Sequence, residues 1–69
     1  MTDTARYKAL VADSGLKKKY IAERLGLTYA GYLKKENGDN EFVASELGIL
    51  KGIFGLSDRD VGAIFLGKE

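Results

Sequence analysis

Lysine is the one chemically active residue type that comes in a dense group in this sequence. Lys17, Lys18 and Lys19 form an unbroken run, and Lys34 and Lys35 stand side by side further on. Ammonium groups placed in this way suit phosphate oxygens, because each brings a full positive charge and three donors. There is no His and no Cys. Imidazole acid–base chemistry, thiolate nucleophiles, the usual zinc patterns and disulfides are therefore excluded. Asp58 and Asp60 could pass for a pair of catalytic or metal-binding carboxylates. They follow Ser57 directly, however, and acids just inside a helix start are explained by the helix dipole. No nucleophile, base and metal constellation is present, so neither an enzyme nor a cofactor or metal site is expected.

The lysines also polarise the chain. From Leu16 to Gly38 six cations (Lys17, Lys18, Lys19, Arg24, Lys34, Lys35) face two anions (Glu23, Glu36), a surplus of +4. From Asp39 onward six anions face three cations, and the first fifteen residues cancel, so the whole chain carries only +1. A positive middle and a negative remainder suit a protein that lays one side on a polyanion and keeps the other away from it. With 69 residues there is room for one domain, spanning 1–69, and a single small core held by packing alone. No apolar run approaches the ~20 residues of a membrane span, and no basic stretch leads into an apolar run as in a secretory signal. A cytoplasmic protein that does not engage a membrane is expected.

The elements that must hold these lysines in place read as helices throughout. Pro is absent and the apolar spacing is consistently three and four residues, which predicts an all-α fold of five helices. Tyr7, Leu10 and Val11 give the stripe of a first helix from about Thr4 to Ser14, which Gly15 ends in the manner of a left-handed C-terminal glycine. Ile21, Ala22 and Leu25 mark a second helix, about residues 18–25, that Gly26 stops. Thr28 is the N-cap candidate of a third, about 28–36, followed by a turn at Asn37 and Gly38. Leu47, Leu50 and Phe54 continue into a fourth helix ended by Gly55. Ser57 with Asp60 forms a capping box for a fifth, carrying Val61, Ile64 and Phe65. Gly31, Gly48, Gly52 and Gly62 fall inside these helices, each at a cost of roughly 1 kcal/mol relative to Ala.

Helices two and three, joined by a tight Gly-containing turn and basic in character, match the unit that places a helix in the DNA major groove. In the segment KKKYIAERLGLTYAGYLKKENG, Ala22 is small where two helices would cross, Gly26 takes the turn, and Leu25, Leu27 and Tyr32 close a small core. The segment resembles the phage-repressor and Cro-like (XRE) helix-turn-helix family, in particular its short prophage-type members. The resemblance lies in Gly15 to Lys18, Ile21 with Ala22, Lys35 to Gly38, Phe42, and Gly55 to Asp58 followed by Ile64 and Phe65. It implies a compact five-helix repressor-like domain whose third helix is the recognition helix and whose second lies across the phosphate backbone. Lys18, with Lys17 and Lys19 nearby, would hold phosphates. Thr28 would cap helix three and lie at the backbone with Asn37. Tyr29, Ala30, Gly31, Leu33 and Lys34 occupy the base-facing positions.

The implied function is a sequence-specific transcriptional regulator of a prophage or mobile element. Ala30 and Leu33 suit thymine methyl groups and Lys34 suits a guanine, but this face is poor in hydrogen-bonding groups. Tyr29 reads equally well as an aromatic packed on Leu33. An apolar face of this kind also fits an alternative function, a module that binds and blocks another helix-turn-helix regulator. Ile49 and Ile53 lie off the main stripe of helix four. With Leu66 they read as a strip for a second copy of the chain or another regulator, or else as an intramolecular core between helices one, four and five; the interface reading is preferred.

Overall fold

Residues 1–67 are described in the computed structural model, so Lys68 and Glu69, which enter the charge count, lie outside the described residues. The chain forms five helices, α1 (Thr4–Ser14), α2 (Lys18–Arg24), α3 (Tyr29–Glu36), α4 (Ala44–Phe54) and α5 (Asp58–Phe65), with no strand among the described residues. Their limits follow local chemistry. Asp3, a cap that the spacing of apolar residues does not reveal, accepts from the Arg6 N–H at 3.0 Å and starts α1. Gly15 stops α1 at φ +73°. Thr28 Oγ1 accepts from the Gly31 N–H at 3.0 Å, and Ser57 and Asp60 exchange reciprocal bonds at 3.1 Å at the head of α5.

The predicted end of α2 shifts by one residue, since Leu25 is its C-cap, and Thr28 is the N-cap of α3 as its type and place suggest. Between them Gly26 takes φ +70°, a left-handed conformation that costs a side-chain-bearing residue about 1–2 kcal/mol. The reversal lets the Leu27 N–H reach back to the Ala22 carbonyl at 2.9 Å. Only Leu25 to Thr28 separate the two helices, and α2 and α3 pack directly on one another.

Tyr7 is the hub of the core. It is fully buried, and its ring lies 5.3 Å from Phe42, 5.5 Å from Phe65 and 6.2 Å, edge-on, from Phe54. Phe42 in turn meets Phe65 at 5.6 Å and Tyr32 at 6.4 Å. Separations of this size with tilted rings are the favourable geometry for aromatic quadrupoles. Val11, Ile21, Ala22, Leu25, Leu50 and Ile64 complete the buried cluster. The N-terminal segment is tied down by the Asp3 N–H on the Ile64 carbonyl at 2.6 Å and by Thr2, whose N–H and hydroxyl reach Glu41 Oε2 at 3.2 and 3.3 Å. The Cα radius of gyration is 10.8 Å, against about 11 Å expected for a folded chain of this length.

Of the three residues expected to form an apolar strip, Ile49 is half-buried and packs against the core. Ile53 is half-buried along an open cavity of about 380 Å³ that Leu10, Leu16 and Phe54 also line. Leu66, the C-cap of α5, is the only one of the three that is exposed. Ile49 thus belongs to the intramolecular packing.

Among the interior glycines of α4, Gly48 and Gly52 are exposed, with no atom in the way of an added Cβ. Gly48→Ala and Gly52→Ala are each expected to stabilise by about 1 kcal/mol. In a domain of this size that raises Tm by roughly 4–8 °C. A thermal melt followed by circular dichroism checks it, and an unchanged or lower Tm would mean that neither position is open.

Candidate functional site

The basic segment divides into cations spent on the fold and cations left free. Lys18, the first residue of α2, places its Nζ 2.9 Å from Oε2 of Glu36, the last residue of α3. Glu36 is only 1% exposed, so its charge is held by specific partners in place of water. Its other oxygen, Oε1, accepts from the Tyr32 hydroxyl at 3.2 Å. The Tyr32 and Tyr7 hydroxyls lie 2.8 Å apart. A carboxylate only accepts, so Tyr32 spends its one hydrogen on Glu36 and Tyr7 donates to Tyr32. A chain of polar groups therefore runs from α1 through α3 to the start of α2, with no buried side-chain polar atom left unpaired among the described residues.

Electrostatics follow from that burial. Burial pushes the Tyr7 phenol up to about 12, the bond to Tyr32 opposing the rise and the charge of Glu36 adding to it. Tyr32 is raised as well, by burial first and then by its bond to Tyr7 and the neighbouring charges. Lys18 is held above the ordinary lysine value by its hydrogen bond and charge contact with Glu36, with a smaller contribution from Tyr29.

A second pair joins the end of α3 to the start of α4. Lys35 Nζ lies 2.6 Å from Glu46 Oε1, and both side chains are largely buried. The same oxygen accepts from the Val43 N–H at 2.9 Å. Val43, the N-cap of α4, has no side-chain acceptor, so Glu46 alone satisfies that turn.

Lys17, Lys19 and Lys34 are exposed, and none of them is in an ion pair among the described residues. Ala30, Lys34 and Asn37 are exposed along α3 and its C-cap at spacings of four and three, while Tyr32 and Glu36 bury the opposite side. Tyr29, at the first turn, is 43% exposed. Leu33 departs from the expected base-facing set because it is half-buried and packs against the core, which removes much of it from the outer face. Gly31 sits under the cap, where an added Cβ would come within 3.0 Å of Thr28 Oγ1. The Thr28 hydroxyl is thereby occupied in starting α3.

Two features escaped the reading of the sequence. Glu36 carried no visible signal, since its burial depends on which helix covers it. Tyr20 and Arg24, four apart on α2, do carry one. The guanidinium donates to the Tyr20 hydroxyl at 2.8 Å and lies 5.8 Å from its ring centre, so an exposed Arg is held in place without being neutralised. Asp58 and Asp60 fulfil helix-start roles. Asp58 is paired with Lys51 and held below the usual carboxylate range by it. Asp60 is likewise lowered, by its bonds with Ser57. Among the described residues no helix is long and apolar enough to cross a membrane, and no three acidic side chains converge as metal ligands. Comparison with protein-family models, curated proteins and solved structures found no match to the chain.

Tyr32→Phe leaves Glu36 Oε1 without its donor and is expected to cost about 1–3 kcal/mol, with Tyr7→Phe costing less. Alkaline pH acts on the same chain of groups. A phenol whose folded pKa lies above its unfolded value of about 10 contributes stability that is fully present below pH 10 and is lost as pH rises towards 12. Lys18, also raised, acts in the same direction. Tm is therefore expected to hold up to about pH 9.5 and fall beyond it, less steeply in Tyr7→Phe. An equally steep fall in both proteins would mean that the buried phenol is not what titrates.

Proposed function

We propose that this protein is a sequence-specific, duplex DNA-binding transcriptional regulator of the repressor and Cro-like helix-turn-helix type, serving a prophage or mobile element. Support for this reading comes chiefly from one observation, the two-sidedness of α3. Tyr32 and Glu36 anchor one side, and Ala30, Lys34 and Asn37 remain exposed on the other. An α-helix with its side chains is about 10–12 Å across, which fits the ~12 Å width of the major groove. Lys17 and Lys19, exposed at the head of α2, supply the sequence-independent attraction to phosphate, and Asn37 adds an amide at the far end of α3.

A single α3 offers few hydrogen bonds to bases. Two copies on neighbouring half-sites about 34 Å apart double the sequence read, and a molecule measuring 30 × 23 × 21 Å fits one half-site. Sequence-dependent DNA shape supplies further discrimination. The exposed ring of Tyr29 and the cavity beside Ile53, where Asp13 and Ser14 border the apolar side chains, favour a second reading, in which the domain binds and blocks another helix-turn-helix regulator.

Fluorescence polarisation with random and self-promoter duplexes across a salt series separates the two. With Lys17 and Lys19 as phosphate contacts, the slope of log affinity against log salt is expected at about −1.8 per protomer. Lys17→Ala should weaken all duplexes alike, while Lys34→Ala should cost about 1–3 kcal/mol mainly at the preferred site. A folded protein that binds no duplex at low salt would leave the regulator-blocking module as the function.

A further inference from the structure

We propose that Glu36 withholds Lys18 from the phosphate backbone and so sets the electrostatic strength of DNA binding, leaving Lys17 and Lys19 to carry it at the head of α2. This assignment rests on the DNA-binding reading above, and it departs from the phosphate role that the family resemblance implies for Lys18.

The Glu36 carboxylate is 1% exposed, and Lys18 is the only cation within ion-pair distance of it among the described residues. If Lys18 turned to a phosphate, a buried carboxylate would be left with the Tyr32 hydroxyl as its sole partner, and an unpaired buried charge is strongly unfavourable. The ammonium therefore stays with Glu36. The Lys18 side chain is 45% exposed, so access to DNA is not what limits it. Charge is the limit. An ammonium already neutralised by a carboxylate displaces no counterion from DNA and adds nothing to the salt-dependent term. Lys17 and Lys19, on either side of it, carry no such partner among the described residues.

The outcome is a trade made within one ion pair. One cation is removed from sequence-blind attraction, and in return the first residue of α2 is tied to the last residue of α3, which fixes the angle at which α3 is presented. Lower random binding with a fixed reading helix raises the ratio of specific to non-specific affinity, the quantity that matters among many competing sites.

The test measures binding of a labelled random duplex to the full chain at 50 and 200 mM salt. Three variants serve, Glu36→Gln, the double change Lys18→Gln with Glu36→Gln, and Lys17→Gln, beside the unchanged protein, with helical content checked for each by circular dichroism. The double change strands no buried charge and is expected to keep the salt dependence of the unchanged protein. Glu36→Gln releases Lys18 and should enlarge the loss of affinity between the two salt concentrations by a further factor of about 3.5, one added phosphate contact. Lys17→Gln should reduce that loss by the same factor. If the double change reduces it as Lys17→Gln does, Lys18 is itself a phosphate ligand and the proposal is overturned while the DNA reading stands. An unaltered salt dependence in folded Glu36→Gln overturns it equally. Should Glu36→Gln fail to fold, the double change alone decides. Absence of any duplex binding by the unchanged protein at 50 mM salt overturns the DNA reading and this assignment together.

Discussion

A single buried charge constrains the arrangement of the first three helices. The Glu36 carboxylate sits inside a small core, where an unpaired ion would cost several kcal/mol. Every hydrogen-bonding partner it has comes from an element that must stay where it is. Lys18 brings the head of α2, Tyr32 brings the preceding turn of α3, and Tyr7 reaches the pair from α1 through the Tyr32 hydroxyl. The Tyr7 ring then continues the constraint by packing, because it touches Phe42 before α4, Phe54 at the end of α4 and Phe65 at the end of α5. Polar contacts at one end of Tyr7 and aromatic contacts along its ring thus couple all five helices through one side chain.

That arrangement changes what the positive middle of the sequence means. Six cations between Leu16 and Gly38 suggest a uniformly basic surface. In the folded chain Lys18 and Lys35 are consumed by Glu36 and Glu46, whereas Arg24, held over Tyr20, keeps its charge. Glu46 belongs to the acidic part of the sequence, so the division into a positive middle and a negative remainder is bridged in space. The surface available to a polyanion is smaller than the charge count implies, and it is concentrated at the head of α2 and on the outer side of α3.

Much of the fold was legible because helix limits are decided within a few residues. Gly15, Gly26 and Gly55 stop helices by adopting positive φ, and Thr28 and Ser57 start them by accepting a nearby N–H. Those are local events that a single sequence exposes. The assignment of Tyr32 to the core was likewise readable from its spacing with Leu25 and Leu27. What was not legible depends on contacts between distant segments. Glu36 pairs across eighteen residues, Glu46 across eleven, and Glu41 holds Thr2 across thirty-nine. Nothing near any of these acids distinguishes it from a solvated one. The half-burial of Leu33 and Ile49 was illegible for the same reason, since an apolar residue at the edge of a helical stripe turns inward or outward according to what the next helix places beside it.

The balance between packing and polarity explains why so small a domain tolerates a buried carboxylate paired with a half-exposed lysine. Replacing such a pair by well-fitted apolar residues is often neutral or stabilising, so stability is not the reason to keep it here. Aromatic and aliphatic burial around Tyr7 supplies the cohesion, but greasy contacts accept several rotations of a short helix at similar cost. An eight-residue helix such as α3 has little packing area with which to choose among them. The Lys18–Glu36–Tyr32 contacts have strict distances and directions, so only one rotation of α3 satisfies them. That rotation is the one that turns Ala30 and Lys34 outward, and the exposed face of α3 is therefore decided on its buried side.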